Sequence, residues 1–303
     1  VPIDYQFSFK SYNPGYTDYN VDFVPEIREA GNKRIYVWEF KNAPEIITEP
    51  SMPPWQEIVP SLALSSFKSW NGIYEWWWKL AKDKIEVDKE IRREVRELIK
   101  GKETQEEKAK AIYHWVASKV RYVAIEYGQA GFEPHSAIEI FKNKYGDCKD
   151  QAMLLIAMLE CCGISAYPVL IGTRGCWVLD EDFPILTFNH AIVAAKVDGK
   201  ALFLDPTAET ASFGDLPPSD QDRKVFVFYE KKGKIEKTPL LPSEHNRVSK
   251  KMEIRIDYDE TISATREIKT FGMYDQGQRA WLKYTKPVLV EEELKEKIST
   301  ITP

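Results

Sequence analysis

The run Lys144–Ile164, KYGDCKDQAMLLIAMLECCGI, decides how the middle of the chain is read. Asp147 is a good helix N-cap, and Asp150 stands three residues on, the spacing at which two side chains cap one helix start reciprocally. Ala152, Leu155, Ile156 and Leu159 then recur on one helical face, and Gly163 is placed to end the helix. Cys148 therefore falls in the first turn, with Cys161 and Cys162 at the far end. The two ends differ chemically. Unpaired N–H groups and the positive end of the helix dipole favour a thiolate at Cys148, whereas the carboxyl end disfavours one. Asp147 and Asp150 oppose that effect and Lys149 assists it, so the helix start alone gives a modest shift. A nucleophile at Cys148 needs a basic partner. Without one, Cys148 reads as an ordinary core cysteine, and Cys161 and Cys162 as small apolar residues beside the cap.

The partner comes from a hairpin pattern downstream. HAIVAAKV, His190–Val197, is followed by Asp198-Gly199 and then by KALFLD, Lys200–Asp205. A two-residue turn at Asp-Gly pairs Val197 with Lys200, Ala194 with Phe203 and Ile192 with Asp205. His190 and Asp205 then become diagonal neighbours on one face, about 7 Å apart along the backbone, close enough for an imidazole and a carboxylate to meet. A three-residue loop would put Asp205 on the opposite face. Separately, His190 reads as a surface histidine and Asp205 as a strand-end residue before Pro206. Together they supply a base and its orienting acid, which a thiol nucleophile requires.

The three segments YGDCKDQAMLL, FNHAIV and LDPTAE resemble, in that order, the motifs of the transglutaminase-like superfamily of papain-fold enzymes, over roughly Thr104 to Thr210. The resemblance implies an α+β papain-like core with the nucleophile at Cys148, the general base at His190 and the orienting acid at Asp205. It also implies acyl transfer through a thioester, with a protein or peptide substrate and no cofactor. Water as acceptor gives a protease or amidase, and an amine gives a cross-linker; hydrolysis is the preferred expectation. More loosely, the flanking segments resemble the β domains of bacterial transglutaminase-like proteins, often exported, which implies an extracytoplasmic location.

An oxyanion in this chemistry sits near the Cys148 backbone N–H with one side-chain donor, for which Gln129, Tyr127 and Tyr122 are the upstream candidates. The cleft walls are expected from the loops at 122–135 and 177–187.

Along the rest of the chain the pattern predicts a multidomain layout: a β-rich unit at 1–87 with a Trp-rich helix, the core at 88–242, and a C-terminal β unit from 243 to 303. In Arg34–Lys41, Tyr36, Trp38 and Phe40 alternate with Val37 and Glu39, and Pro50, Pro53, Pro54 and Pro60 make an extended connector. Ser69 caps a helix bearing Ile73, Trp76, Trp77, Leu80 and Ala81 on one face, so the Trp76–Trp78 triplet reads as packing rather than a binding platform. Thr104 and Glu107 form a capping box ahead of Ala109, Ile112, Tyr113, Val116 and Val120, and a short helix is expected from about His135 to Lys142. The strand Val225–Tyr229 continues the sheet, Pro239–Pro242 link onward, and Met252, Ile254, Ile256 and Tyr258 alternate as a half-buried strand onto which Ile262–Ile268 pair back. Both ends of the chain, which opens VPIDYQFSF, read as cut from a longer pattern.

Composition narrows the alternatives. Of the 303 residues, 43% are hydrophobic and 29% charged, which excludes a disordered chain, and a net charge of −5 gives no basic footprint for nucleic acid. The longest apolar run is too short to span a bilayer. The four cysteines include no C-x-x-C pair, so structural zinc is not expected, and no D-x-D-x-D-G calcium loop occurs. His114, His135 and His245 read as surface, capping or linker groups. The opposing functional reading is an inactive transglutaminase-like module that docks a partner protein; oligomeric state is open.

Overall fold

The computed structural model describes residues 1–13, 23–43, 45–50, 52, 53, 55–125 and 127–299. Among the described residues there are thirteen strands: β1 (Ser8–Tyr12), β2 (Glu26–Ala30), β3 (Lys33–Val37), β4 (Ser61–Ser65), β5 (Arg121–Tyr122), β6 (Tyr145–Gly146), β7 (Ala166–Ile171), β8 (His190–Val197), β9 (Lys200–Leu204), β10 (Lys224–Tyr229), β11 (Lys232–Lys237), β12 (Val248–Ile256) and β13 (Ile262–Thr270). The helices are α1 (Trp70–Ala81), α2 (Lys89–Leu98), α3 (Gln105–Lys119), α4 (Ala137–Asn143), α5 (Cys148–Glu160), α6 (Met273–Tyr284) and α7 (Pro287–Ser299). No helix among the described residues is long and apolar enough to cross a membrane. Pro54 of the expected connector lies outside the described residues.

The central element is a five-stranded antiparallel sheet in the order β11-β10-β7-β8-β9. Its two faces are separated by the two-residue period of a strand. Val193, Ala195 and Val197 of β8 face the large helical core, whereas Ile192 and Ala194 join Val169, Ile171, Phe203, Val225 and Val227 in a second cluster. Helix α5 lies on the first face. The expected single apolar stripe understates its burial, because every residue from Cys148 to Leu159 is buried. A helix apolar nearly all round needs neighbours on every side, and α2, α3 and α4 supply them together with the sheet.

Local signals place the helices. Ser69 Oγ accepts from Gly72 N at 3.1 Å, Asp88 caps α2, and Thr104 and Glu107 cap α3 reciprocally. Ala109, Ile112, Tyr113, Val116 and Val120 are all buried. Helix α4 begins at Ala137 behind a Ser136–Glu139 capping box, two residues later than expected. In α1 the buried face is Ile73, Tyr74, Trp77 and Ala81, while Trp76 and Trp78 are partly buried against the same core. The Trp-rich helix thus packs with residues 91–228 rather than with the strands before it.

The amino-terminal strands form two ribbons, β1 with β4 and β2 with β3, and the second turns at Gly31, whose φ is +60°. Strand β3 ends at Val37, short of Lys41. The first ribbon grips the loop before β8: the Lys10 ammonium and the Tyr12 hydroxyl bond Asp180, and Ser65 Oγ donates to the Pro184 carbonyl at 2.5 Å. At the carboxyl end, β12 and β13 pair as expected, with Ile256 opposite Ile262 and Ile254 opposite Ala264. The expected half-burial does not hold: every residue of β12 is exposed, as is every residue of β13 except Thr270. Helices α6 and α7 follow it, where the sequence reading placed only β structure.

Candidate active site

Cys148 is the first residue of α5 and 7% exposed. Asp147 Oδ1 accepts from Asp150 N at 3.3 Å, and Asp150 Oδ2 accepts from Asp147 N at 3.1 Å, closing the capping box. The acids that flank the sulfur are each engaged. The Lys149 ammonium pairs with Asp147 in a buried contact, and Asp150 accepts from the His135 backbone N–H at 2.7 Å. Gly146 makes this packing sterically feasible: a Cβ there would lie 2.7 Å from the Asp150 Cβ. As the first helical residue, Cys148 carries an N–H with no intrahelical acceptor.

The hairpin register matches the sequence reading at every pair of its ladder, from Val197–Lys200 to Val193–Leu204. Asp198 and Gly199 have φ of +48° and +79°, the left-handed pair that a two-residue turn demands. His190 and Asp205 consequently meet at one end of the hairpin, with His190 Nε2 3.1 Å from Asp205 Oδ2. The other carboxylate oxygen accepts from Thr207 N at 2.9 Å and Thr207 Oγ1 at 2.7 Å, and the Asp205 carbonyl accepts from the Tyr113 hydroxyl at 3.1 Å. Cys148 and His190 line the same cavity, and the thiol acts electrostatically on the ring. The structure therefore brings Cys148, His190 and Asp205 together.

Electrostatics follow from this enclosure. Burial acts to lower the His190 pKa, but hydrogen bonds to Asp205 and Cys148, with their charges, outweigh it and push the value up to about 11. Burial likewise acts to raise Asp205, and its bond to the His190 ring and its Thr207 donors hold it below the ordinary value. Cys161 and Cys162 differ: burial pushes both thiols up, and Cys162 Sγ donates to the Leu159 carbonyl. All four cysteines are unpaired.

Cys148 and His190 open on a cavity of about 110 Å³ walled by Trp76, Trp77, Phe132, Leu186 and Phe188. Both expected loops contribute to it. The oxyanion candidates do not line it. Gln129 donates its amide to Glu133 at 2.7 Å, and Glu133 is in turn held by Lys84 at 2.7 Å. Tyr127 is 86% exposed, and Tyr122, on β5 beside β6, is 51% exposed. Their loop reaches the cavity through Gly131 and Phe132 instead.

The segment 92–201 matches the family described as the transglutaminase-like superfamily. This core is transglutaminase-like. No curated protein matches the chain. Among solved structures, a candidate protease of Parabacteroides distasonis superposes with a TM-score of 0.60 at 19% identity, over 86% of this chain and 50% of that one. The chain thus spans half the length of that neighbour, and the likeness establishes the shared fold. A candidate cysteine protease of Cytophaga hutchinsonii aligns over 88% of this chain and 79% of its own, at 11% identity and a TM-score of 0.34.

Sequence reasoning missed several contributors to this transglutaminase-like site. Asn189 and Trp76 line the cavity, the first inside the quoted FNHAIV segment but given no role there, the second from a triplet explained by packing alone. Asp220 is 1% exposed, and one ligand atom each from His190, Asp205 and Asp220 fall within 4.8 Å of one another. The Nε2 to Oδ2 hydrogen bond occupies the space between the first two, so we assign the group to hydrogen bonding rather than to a metal. In the sequence Asp220 sits in PPSDQD, Pro217–Asp222, a stretch given no functional reading.

Proposed function

We propose that the chain is a cysteine-dependent enzyme acting on amide bonds of proteins or peptides. The observation that carries this reading is the His190 ring held between Asp205, at 3.1 Å, and Cys148 at a helix start. Cys148 as thiolate attacks the carbonyl carbon. The tetrahedral oxyanion faces the Cys148 backbone N–H. His190, as imidazolium, protonates the departing amine as the C–N bond breaks, leaving a thioester, while Asp205 keeps the ring oriented. Water, deprotonated by His190, then hydrolyses the thioester. Hydrolysis is preferred to transfer onto an amine because the fold neighbours are described as candidate proteases. An extracytoplasmic site of action, and a division into a core with flanking units, belong to the same proposal.

One observation favours the second reading, an inactive docking module: the cavity is small and Cys148 is only 7% exposed. Timed alkylation with iodoacetamide near pH 6, mapped by peptide mass, separates the two. Fast labelling confined to Cys148 and lost in His190→Ala supports the enzyme. Slow labelling equal at all four thiols rules it out.

A further inference from the structure

Asp220 is a buried acid that the triad does not use. Its Oδ1 accepts from Ser219 Oγ at 2.8 Å, and its backbone carbonyl accepts from Thr238 Oγ1 at 2.5 Å, so the loop that carries it is anchored on β11's exit. Its Oδ2 is sealed from solvent and meets no donor. Its neighbour is another carboxylate: an oxygen of Asp220 lies within 4.8 Å of one of Asp205. A buried carboxylate with one oxygen lacking a donor, set beside a second carboxylate, is costly, because like charges in a poorly solvated site cannot both ionise freely. One proton between them removes both faults at once: the orphan oxygen becomes an O–H donor and the Asp205 carboxylate gains a fourth hydrogen bond.

We propose that Asp220 is a positioning residue that shares one proton with Asp205 and, through the resulting O–H···O bond, fixes that carboxylate against the His190 ring. This rests on the triad reading above for its consequence, but not for the proton itself. The surroundings agree. Burial and the Asp205 charge raise the Asp220 pKa to about 6, against the opposing pull of His190 and the Ser219 hydroxyl. The charged groups facing Asp220 are Asp205 and His190, both from the β8–β9 hairpin and its end. Arg223 on the following stretch turns away, giving its guanidinium to the carbonyls of Gly172, Cys176 and Trp177. The remaining cation, the His190 ring, gives its hydrogen bond to Asp205.

The test combines infrared spectroscopy with Cys148 alkylation by iodoacetamide, each followed across pH. The wild-type protein is expected to show the carbonyl band of a protonated carboxyl in the acid range, shifting in heavy water and vanishing as pH rises through about 6. Asp220→Asn, whose amide keeps a neutral donor toward Asp205, removes the band. It also removes any step in the alkylation profile at that pH while leaving the acid-range rate within about threefold. Asp220→Ala, with no donor, slows alkylation about tenfold or more. Asp205→Asn, which takes away the like charge, moves the band to lower pH and serves if Asp220→Asn does not fold. Absence of any such band in a wild-type protein whose Cys148 is reactive overturns the shared proton. A band that survives in Asp220→Asn does the same. If the band behaves as expected while Cys148 is inert, the proton stands and the enzymatic reading fails.

Discussion

Asp205→Asn probes the electrostatic centre of the site. Two opposite charges 3.1 Å apart interact by about 5 kcal/mol at an effective dielectric near 20. Neutralising Asp205 should therefore lower the His190 pKa by about 4 units, from about 11 to near 7. The substitution also reverses a hydrogen bond. Asn Oδ1 can keep the two Thr207 donors, at 2.9 and 2.7 Å, which turns Nδ2–H toward His190 Nε2 and requires that nitrogen to be unprotonated. Both effects favour a neutral ring. NMR of protein labelled at histidine nitrogens reads the outcome directly. In the wild type the His190 ring should stay doubly protonated from about pH 5 to 9, whereas in Asp205→Asn it should titrate near or below neutrality, with slower labelling of Cys148. Stability follows the same linkage. Because the folded pKa lies above the ordinary 6.5, the contribution is fully present below 6.5 and is lost as pH rises through about 11. The variant should lack that alkaline decline. A wild-type His190 that titrates near 6.5, or a titration unchanged by Asp205→Asn, refutes the reasoning.

Two further outcomes concern the supporting structure. Gly146→Ala brings a methyl to 2.7 Å from the Asp150 Cβ, forcing the capping box apart, and should cost about 2–4 kcal/mol in urea unfolding from overpacking and cap loss together; a loss under about 0.5 kcal/mol would show that Asp150 yields freely. For Asp220 the folded pKa of about 6 exceeds the ordinary 3.8, so the stabilising proton is fully bound below 3.8 and lost as pH rises through about 6. Asp220→Asn should then be more stable than wild type at pH 7 by up to about 3 kcal/mol, with the gap closing below about pH 4. A variant less stable at both pH values would contradict that sign.

Much of the core was legible because its signals are local. Capping boxes at Thr104–Glu107 and Asp147–Asp150 fix helix starts within four residues of sequence, and Asp198-Gly199 fixes a turn that sets the register of a whole hairpin. That register carries His190 to Asp205, so two members of the site follow from strand geometry. Other readings failed where burial depends on what lies across the fold. The alternation in β12 is real, but its apolar side chains stand exposed. The full enclosure of α5 was equally hidden, since it depends on neighbours supplied by three other helices and the sheet.

The sequence by itself determined the helix that presents Cys148, the hairpin that pairs His190 with Asp205, and the resemblance of both to one superfamily, because each depends on contacts between residues close along the chain. Only the tertiary structure decided that Cys148 and His190 line one cavity, that Phe132 and Trp76 wall it in place of the expected polar donors, and that Asp220 lies within 4.8 Å of Asp205. Those contacts join residues far apart in the chain, and their side chains carry no record of the partner until packing brings the segments together.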